Sequence, residues 1–400
     1  MPHTSEQKDK AFAVQYREDV TSKRLGIPLL PTDNAQHTMP MITRTGQKFE
    51  LSYETYLPPG INATGKRGTV FFVPGTAYIG REAEATMVIA SRVAHASGLQ
   101  VIVLKHRDAP EHKFPAAFDD VFQMMDNFLD PDKPFKKKHA IDLNFFGLLG
   151  YSSGATIMLA TLLHLLSKKR PAPKEVVLVS PWFIGAEGAY EYRVDPTFGA
   201  QKIKNVMSCT FQDVEKERID PRVSPVNLTD EQIHALPQIR IVVGSDDAFL
   251  GAVHLFMDRV FAVRKSHDVV NLTIEPGRNH SMLWVDAGVM KRVGQRFERS
   301  EEVPAIQVFI FTVASCEIKF VAEEDDAAKE GGDLYGDDTI WTGSKRHHVV
   351  SGRRPSSAPV VKRDRNDWGN ERFFGDGKDG GSRQAFSGAH TRQAAVTSPA

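Results

Sequence analysis

Cysteine is nearly absent: only Cys209 and Cys316 occur in 400 residues, and their separation offers neither a disulfide framework nor metal-ligand spacing. An intracellular, reducing compartment is the expectation that fits. Neither sign of charge is in excess, since lysine plus arginine and aspartate plus glutamate each number 50. A balanced chain has no global field to gather nucleic acid or to hold an anionic membrane, which points to a small-molecule partner. Long apolar runs are missing too. The nearest candidate, Val308 to Ala314, is far below the roughly 18 to 20 residues of a membrane span. The polar opening MPHTSEQKDKAFAVQYRED lacks the apolar stretch of a secretory signal. A cytoplasmic protein without stable membrane insertion is expected.

What remains is an ordinary globular composition, 41% apolar and 25% charged. Up to about residue 300, short β-rich runs alternate with helical patterns. The strand candidates are Phe49 to Tyr56, Thr69 to Val73, Gln100 to Leu104, Phe145 to Leu149, Val176 to Ser180, Ile239 to Val243 and Val269 to Ile274. Helical patterns span Glu82 to Ser97, Ala116 to Leu129, Ala155 to Leu166, Gly251 to Val263 and Ala287 to Phe297. Continuous apolar strands separated by crossover-length helices predict a doubly wound α/β domain around a mainly parallel sheet. Residues 1–45 and 184–233 break the alternation and are expected to cover the site, flanking and interrupting a domain of residues 46–300. Residues 301–400 form an extension. From about Glu323 it holds 11 of the 30 glycines and little that could build a core, so it is expected to be disordered. The segment Val308 to Ala322 has no assigned role, and His347 and His348 read as solvated residues rather than metal ligands.

The sharpest motif is Gly150-Tyr151-Ser152-Ser153-Gly154, preceded by the apolar run NFFGLLG and followed by the helical pattern ATIMLATLLHLL. Glycines on both sides of a strand-to-helix turn permit a tight, strained bend that pushes a serine hydroxyl out at the end of the sheet. A hydroxyl is a poor nucleophile unless a histidine takes its proton and a carboxylate fixes that histidine's tautomer. About 95 residues later the strand IRIVVG leads into Ser245-Asp246-Asp247, and either aspartate fits, with Asp247 preferred. After the strand VNLTIE the loop carries His280, the one histidine beyond Asp247 so placed, because His267 precedes that strand. The order Ser152, Asp247, His280 is that of an acyl-transfer triad. Such chemistry also needs N–H donors for the charge on the carbonyl oxygen. The small-residue loop after TVFFV, with Gly75, Thr76 and Ala77, is their expected source, together with the Ser153 N–H. No cofactor or metal is expected.

One further block, His106-Arg107-Asp108-Ala109-Pro110-Glu111-His112-Lys113-Phe114-Pro115-Ala116-Ala117-Phe118-Asp119-Asp120, is long and specific. It resembles the Y-R-L-A-P-E-x-x-F-P-A-A-x-x-D stretch of the hormone-sensitive lipase group of α/β-hydrolase esterases, and the resemblance runs over about residues 45–300. By that resemblance Gly150 to Ala155 stand at the group's G-D-S-A-G-G position, Asp247 and His280 at its triad acid and base, and Pro74 to Ala77 at its H-G-G-G loop. The likeness implies hydrolysis of carboxylic esters of a small or medium-sized apolar substrate through an acyl-enzyme, under a helical cap. This chain departs at Pro74, Thr76, Ala77, Tyr151 and Ala155, where the group has His, Gly, Gly, Asp and Gly. Two other readings share the scaffold: a non-catalytic small-molecule receptor, as resemblance to plant gibberellin receptors allows, and a thioester or lactone hydrolase in natural-product tailoring. The presence of His280 argues against the receptor, because those receptors have lost that histidine.

Overall fold

A computed structural model describes residues 4–21, 27–61, 65–80, 83–185, 190 and 198–298. The expectations for the tail, for Val308 to Ala322 and for His347 and His348 lie outside the described residues.

The strands are β1 (Asp33–Ile42), β2 (Lys48–Leu57), β3 (Arg67–Val73), β4 (Gln100–Leu104), β5 (Ile141–Tyr151), β6 (Glu175–Val179), β7 (Ile239–Gly244) and β8 (Val270–Glu275). The helices are α1 (Ser5–Thr21), α2 (Ala83–Ser97), α3 (Ala116–Leu129), α4 (Pro134–Lys138), α5 (Ser153–Ser167), α6 (Ala200–Thr210), α7 (Val214–Glu217), α8 (Asp230–Ala235), α9 (Leu250–Arg264), α10 (Met282–Val285) and α11 (Ala287–Gln295). The eight strands form one sheet in the order β1-β2-β4-β3-β5-β6-β7-β8. The β1–β2 and β2–β4 pairs are antiparallel, and from β4 onward every pair is parallel.

The sheet is packed on both faces, which is why its central strands read as unbroken apolar runs. Along β3, Phe71 and Val73 enter one core with Phe118 of α3 and Ile157 of α5. The alternate residues Val70 and Phe72 enter a second core with Val93 of α2 and Met290 of α11. Helix α5 is apolar nearly all round, and residues 153–162 are all buried, as suits the helix directly behind the central strand. The block at 106–120 has a structural job. Arg107 grips the buried Asp120 through Nε and Nη2, at 2.8 to 3.2 Å, and its guanidinium lies 4.2 Å from the Phe49 ring centre. A charge as buried as Asp120 is tolerable only with such pairing.

One boundary is corrected. Asp33–Ile42 falls inside the stretch assigned to a covering segment, yet it is strand β1, paired in full register with β2. Its sequence, DNAQHTMPMI, hides this: only Met39 and Met41 are buried, and Pro40 is compatible with a strand at the rim of a sheet. Ahead of it, α1 does pack against α6. Ser208 Oγ donates to Asp9 Oδ1 at 2.7 Å, and Lys113 Nζ donates to the Ser208 and Phe211 carbonyls at 2.8 and 2.9 Å. Arg17 of α1 also reaches the β3–α2 loop, donating from Nε to the Ile79 carbonyl at 2.7 Å.

Candidate active site

Parallel strands deliver their carboxyl ends, and the loops that follow, to one rim of the sheet. Ser152 follows β5, Asp247 follows β7 and His280 follows β8, so three distant stretches of sequence meet there. Ser152 has φ 55° and ψ −123°, a conformation L side chains avoid and one that a tightly packed turn must impose. Its neighbours explain how. A Cβ at Gly150 would lie 2.4 Å from Ala155 Cα, and one at Gly154 would lie 2.2 Å from the Val73 carbonyl oxygen. Only glycines let α5 and β3 close around the bend. The bend is pinned by the Ser152 N–H donating to the Val179 carbonyl at 2.9 Å, and the Ser152 carbonyl accepts from the Ala155 N–H at 3.0 Å.

Ser152 Oγ lies 2.8 Å from His280 Nε2, and His280 Nδ1 lies 3.1 and 3.2 Å from Asp247 Oδ2 and Oδ1. A proton on Nδ1, shared with the carboxylate, leaves Nε2 as acceptor for the serine hydroxyl. All three are shielded from water: Ser152 is 5% exposed, and Asp247 and His280 are 1% exposed each. Asp247 Oδ1 also accepts the Phe249 N–H at 2.9 Å. Of the two aspartates left open by the sequence, Asp246 does not face the ring; its Oδ1 accepts from Ser245 Oγ at 2.8 Å.

Several aromatic residues that were not expected at the site surround the imidazole. Tyr151 OH donates to the His280 carbonyl at 2.7 Å, and its ring stacks on the imidazole with centres 5.8 Å apart. Phe198 and Phe249 meet the same ring edge-on at 4.5 and 4.8 Å. Trp182 stacks on Phe249 at 5.5 Å, and Tyr190 OH accepts from Trp182 Nε1 at 3.1 Å. Tyr78 lies 6.0 Å from Trp182, and burial raises its phenol well above the ordinary range, so it stays a neutral hydroxyl. Nothing in the spacing of these aromatics marks them out, although Phe249 follows Asp247 by two positions and Tyr151 precedes the serine by one.

The expected N–H donors divide. The β3–α2 loop abuts the serine so closely that a Cβ at Gly75 would lie 2.7 Å from Ser152 Cβ. Its backbone then turns through left-handed angles at Ala77 (φ 51°) and Tyr78 (φ 63°). The N–H groups of Gly75, Ala77 and Ser153 have no partner among the described residues. Thr76 differs from the expectation, because its N–H donates to Ser153 Oγ at 3.1 Å. The cause is the hydroxyl one residue beyond the nucleophile, a feature visible in the sequence but without meaning until the loop is seen against it.

Among the described residues, no group of three or more His, Cys, Asp or Glu side chains is gathered so as to hold a metal ion, and no helix is long and apolar enough to cross a membrane. A cavity of about 570 Å³ lined by Asp33, Pro58 and Arg67 opens beside the amino end of β3, at the opposite rim from Ser152.

A model of the alpha/beta hydrolase fold family matches residues 70–283. The acetyl-hydrolase of Streptomyces hygroscopicus is 26% identical over 186 residues, which is 45% of this chain and 57% of that protein. A protein of Acanthamoeba polyphaga mimivirus named as an alpha/beta hydrolase is 24% identical over 183 residues, 44% of this chain and 51% of its own length. This chain thus spans little more than half the length of these two relatives. In structure, carboxyl esterase 2 of the mycorrhizal fungus Tuber melanosporum superposes with a TM-score of 0.58 at 16% identity, over 72% of this chain and 98% of that one.

Proposed function

Because this chain belongs to the α/β-hydrolase fold family, we propose that it is a carboxylic-ester hydrolase working through an acyl-enzyme on Ser152. The observation that carries the reading is the 2.8 Å contact between Ser152 Oγ and His280 Nε2, with Asp247 on the far side of the imidazole. In the reaction, Ser152 Oγ attacks the ester carbonyl while His280 accepts its proton. The negative charge on the tetrahedral oxygen is met by the N–H groups of Gly75, Ala77 and Ser153 at the amino end of α5, where the helix dipole adds to them. Collapse expels the alcohol, protonated by His280, and water repeats the sequence to release the acid.

The aromatic surround favours an apolar ester of small or medium size, in keeping with the names esterase and acetyl-hydrolase borne by relatives. Helix α1 and the stretch from Phe198 to Ala235 serve, on this reading, as the cover that keeps water from the acyl-enzyme. The purified protein is expected to hydrolyse p-nitrophenyl acetate, and Ser152→Ala is expected to slow that turnover by about 10³-fold or more. A wild-type protein that is folded and inert toward p-nitrophenyl acetate and butyrate would instead support the receptor reading.

A further inference from the structure

Ser153 is fully buried on the first turn of α5, and its hydroxyl oxygen is the acceptor for the Thr76 N–H at 3.1 Å. Thr76 sits between Gly75, which abuts Ser152 Cβ, and Ala77, whose left-handed backbone re-aims the next peptide group. One amide of the loop nearest the nucleophile is therefore engaged within the protein, while the flanking N–H groups of Gly75 and Ala77 are free among the described residues. We infer that Ser153 is a positioning residue that withholds the Thr76 N–H from the carbonyl oxygen of the substrate, leaving it a donor held in reserve. The inference rests on the reading of Ser152 as nucleophile.

The energetics follow from competition for one proton. As charge develops on the carbonyl oxygen, an N–H aimed at it gains strength because the acceptor is ionised. Thr76 can make that contact only by giving up Ser153 Oγ, so part of the gain is cancelled. Alanine at 153 removes the competing acceptor and little volume. The Thr76 N–H then lacks a partner in the resting protein and gains one in the transition state, the condition under which an interaction raises kcat rather than lowering KM.

Ser153→Ala is accordingly expected to raise kcat for p-nitrophenyl acetate about three- to tenfold, the value of one neutral hydrogen bond. KM should change less than about twofold. Rates are expressed per active site titrated with a fluorophosphonate, so misfolded protein does not count. Phenylboronic acid, whose tetrahedral adduct on Ser152 places an oxygen where the ester's would be, should bind Ser153→Ala more tightly by a similar factor. Ser153→Cys, with a thiol that accepts weakly, should lie between the two and decides the matter if the alanine variant does not fold. A merely structural role for Ser153 would lower kcat or leave it unmoved, with no gain in boronate affinity. That result, obtained while the wild type turns over, overturns this inference and leaves the hydrolase reading standing. A wild type with neither turnover nor labelling overturns both.

Discussion

Alanine in place of His280 is expected to lower kcat toward p-nitrophenyl acetate by about 10⁴-fold, with little change in KM. Among the described residues, Ser152 Oγ has a single hydrogen-bond partner, His280 Nε2 at 2.8 Å, so no second base stands ready. At the 5% exposure of Ser152, bulk water is a poor substitute. The remaining activity would come from the N–H donors and from substrate positioning. Asp247→Asn should cost a comparable factor by another route, since an amide can donate to Nδ1 and so favour the tautomer that cannot accept from the serine. Steady-state kinetics on both variants, alongside a melting curve, checks the claim. Losses of less than about tenfold in folded protein would place the base elsewhere.

The second large effect is structural. Gly154→Val is expected to abolish stable folding, and even Gly154→Ala should destabilise by about 3 kcal/mol or more, because overpacking against backbone has no cheap relaxation. The added Cβ would lie 2.2 Å from the Val73 carbonyl oxygen and 2.4 Å from that of Pro74, both fixed at the end of β3. The only relief is to push α5 away from β3. That would drag Ser152 from His280, and a shift near 1 Å costs on the order of 100-fold in rate. Gly46 provides the contrast. Unlike Gly154 it has a positive φ, of 84°, but a Cβ there meets nothing within 4 Å. Gly46→Ala should therefore cost only about 1 to 2 kcal/mol of backbone strain and leave kcat alone. Thermal unfolding monitored by circular dichroism separates the two: a Gly154→Ala protein as stable as Gly46→Ala would contradict the packing described.

The parts of the fold legible in the sequence were those whose environment is uniform. Strands β3, β4, β6 and β7 are buried on both faces and read as apolar runs; α3 shows a clear buried stripe. Strand β1 escaped because an edge strand needs few apolar residues, and its pairing partner, not its own side chains, fixes it. Helix α6 was hidden by charge around it, although Ile203, Val206, Met207 and Thr210 stand at helical spacing and are buried. At the site, the glycine-flanked Ser152 was readable because backbone sterics leave few alternatives to that turn. The choice between Asp246 and Asp247 was not, since both follow β7 and only the direction of the next peptide groups turns one carboxylate toward the ring. The Ser153–Thr76 bond and the aromatic packing of Trp182, Phe198 and Phe249 depend on approaches between distant segments, which no local pattern encodes.

On the proposed reading Ser152 is a nucleophile activated by His280 across a 2.8 Å contact. Treating the folded protein with a fluorophosphonate, digesting it and locating the adduct by mass spectrometry tests this directly. One modified site is expected, on Ser152, lost in Ser152→Ala and slowed in proportion to kcat in His280→Ala. An adduct on another residue, or none on protein whose melting transition is intact, would contradict it.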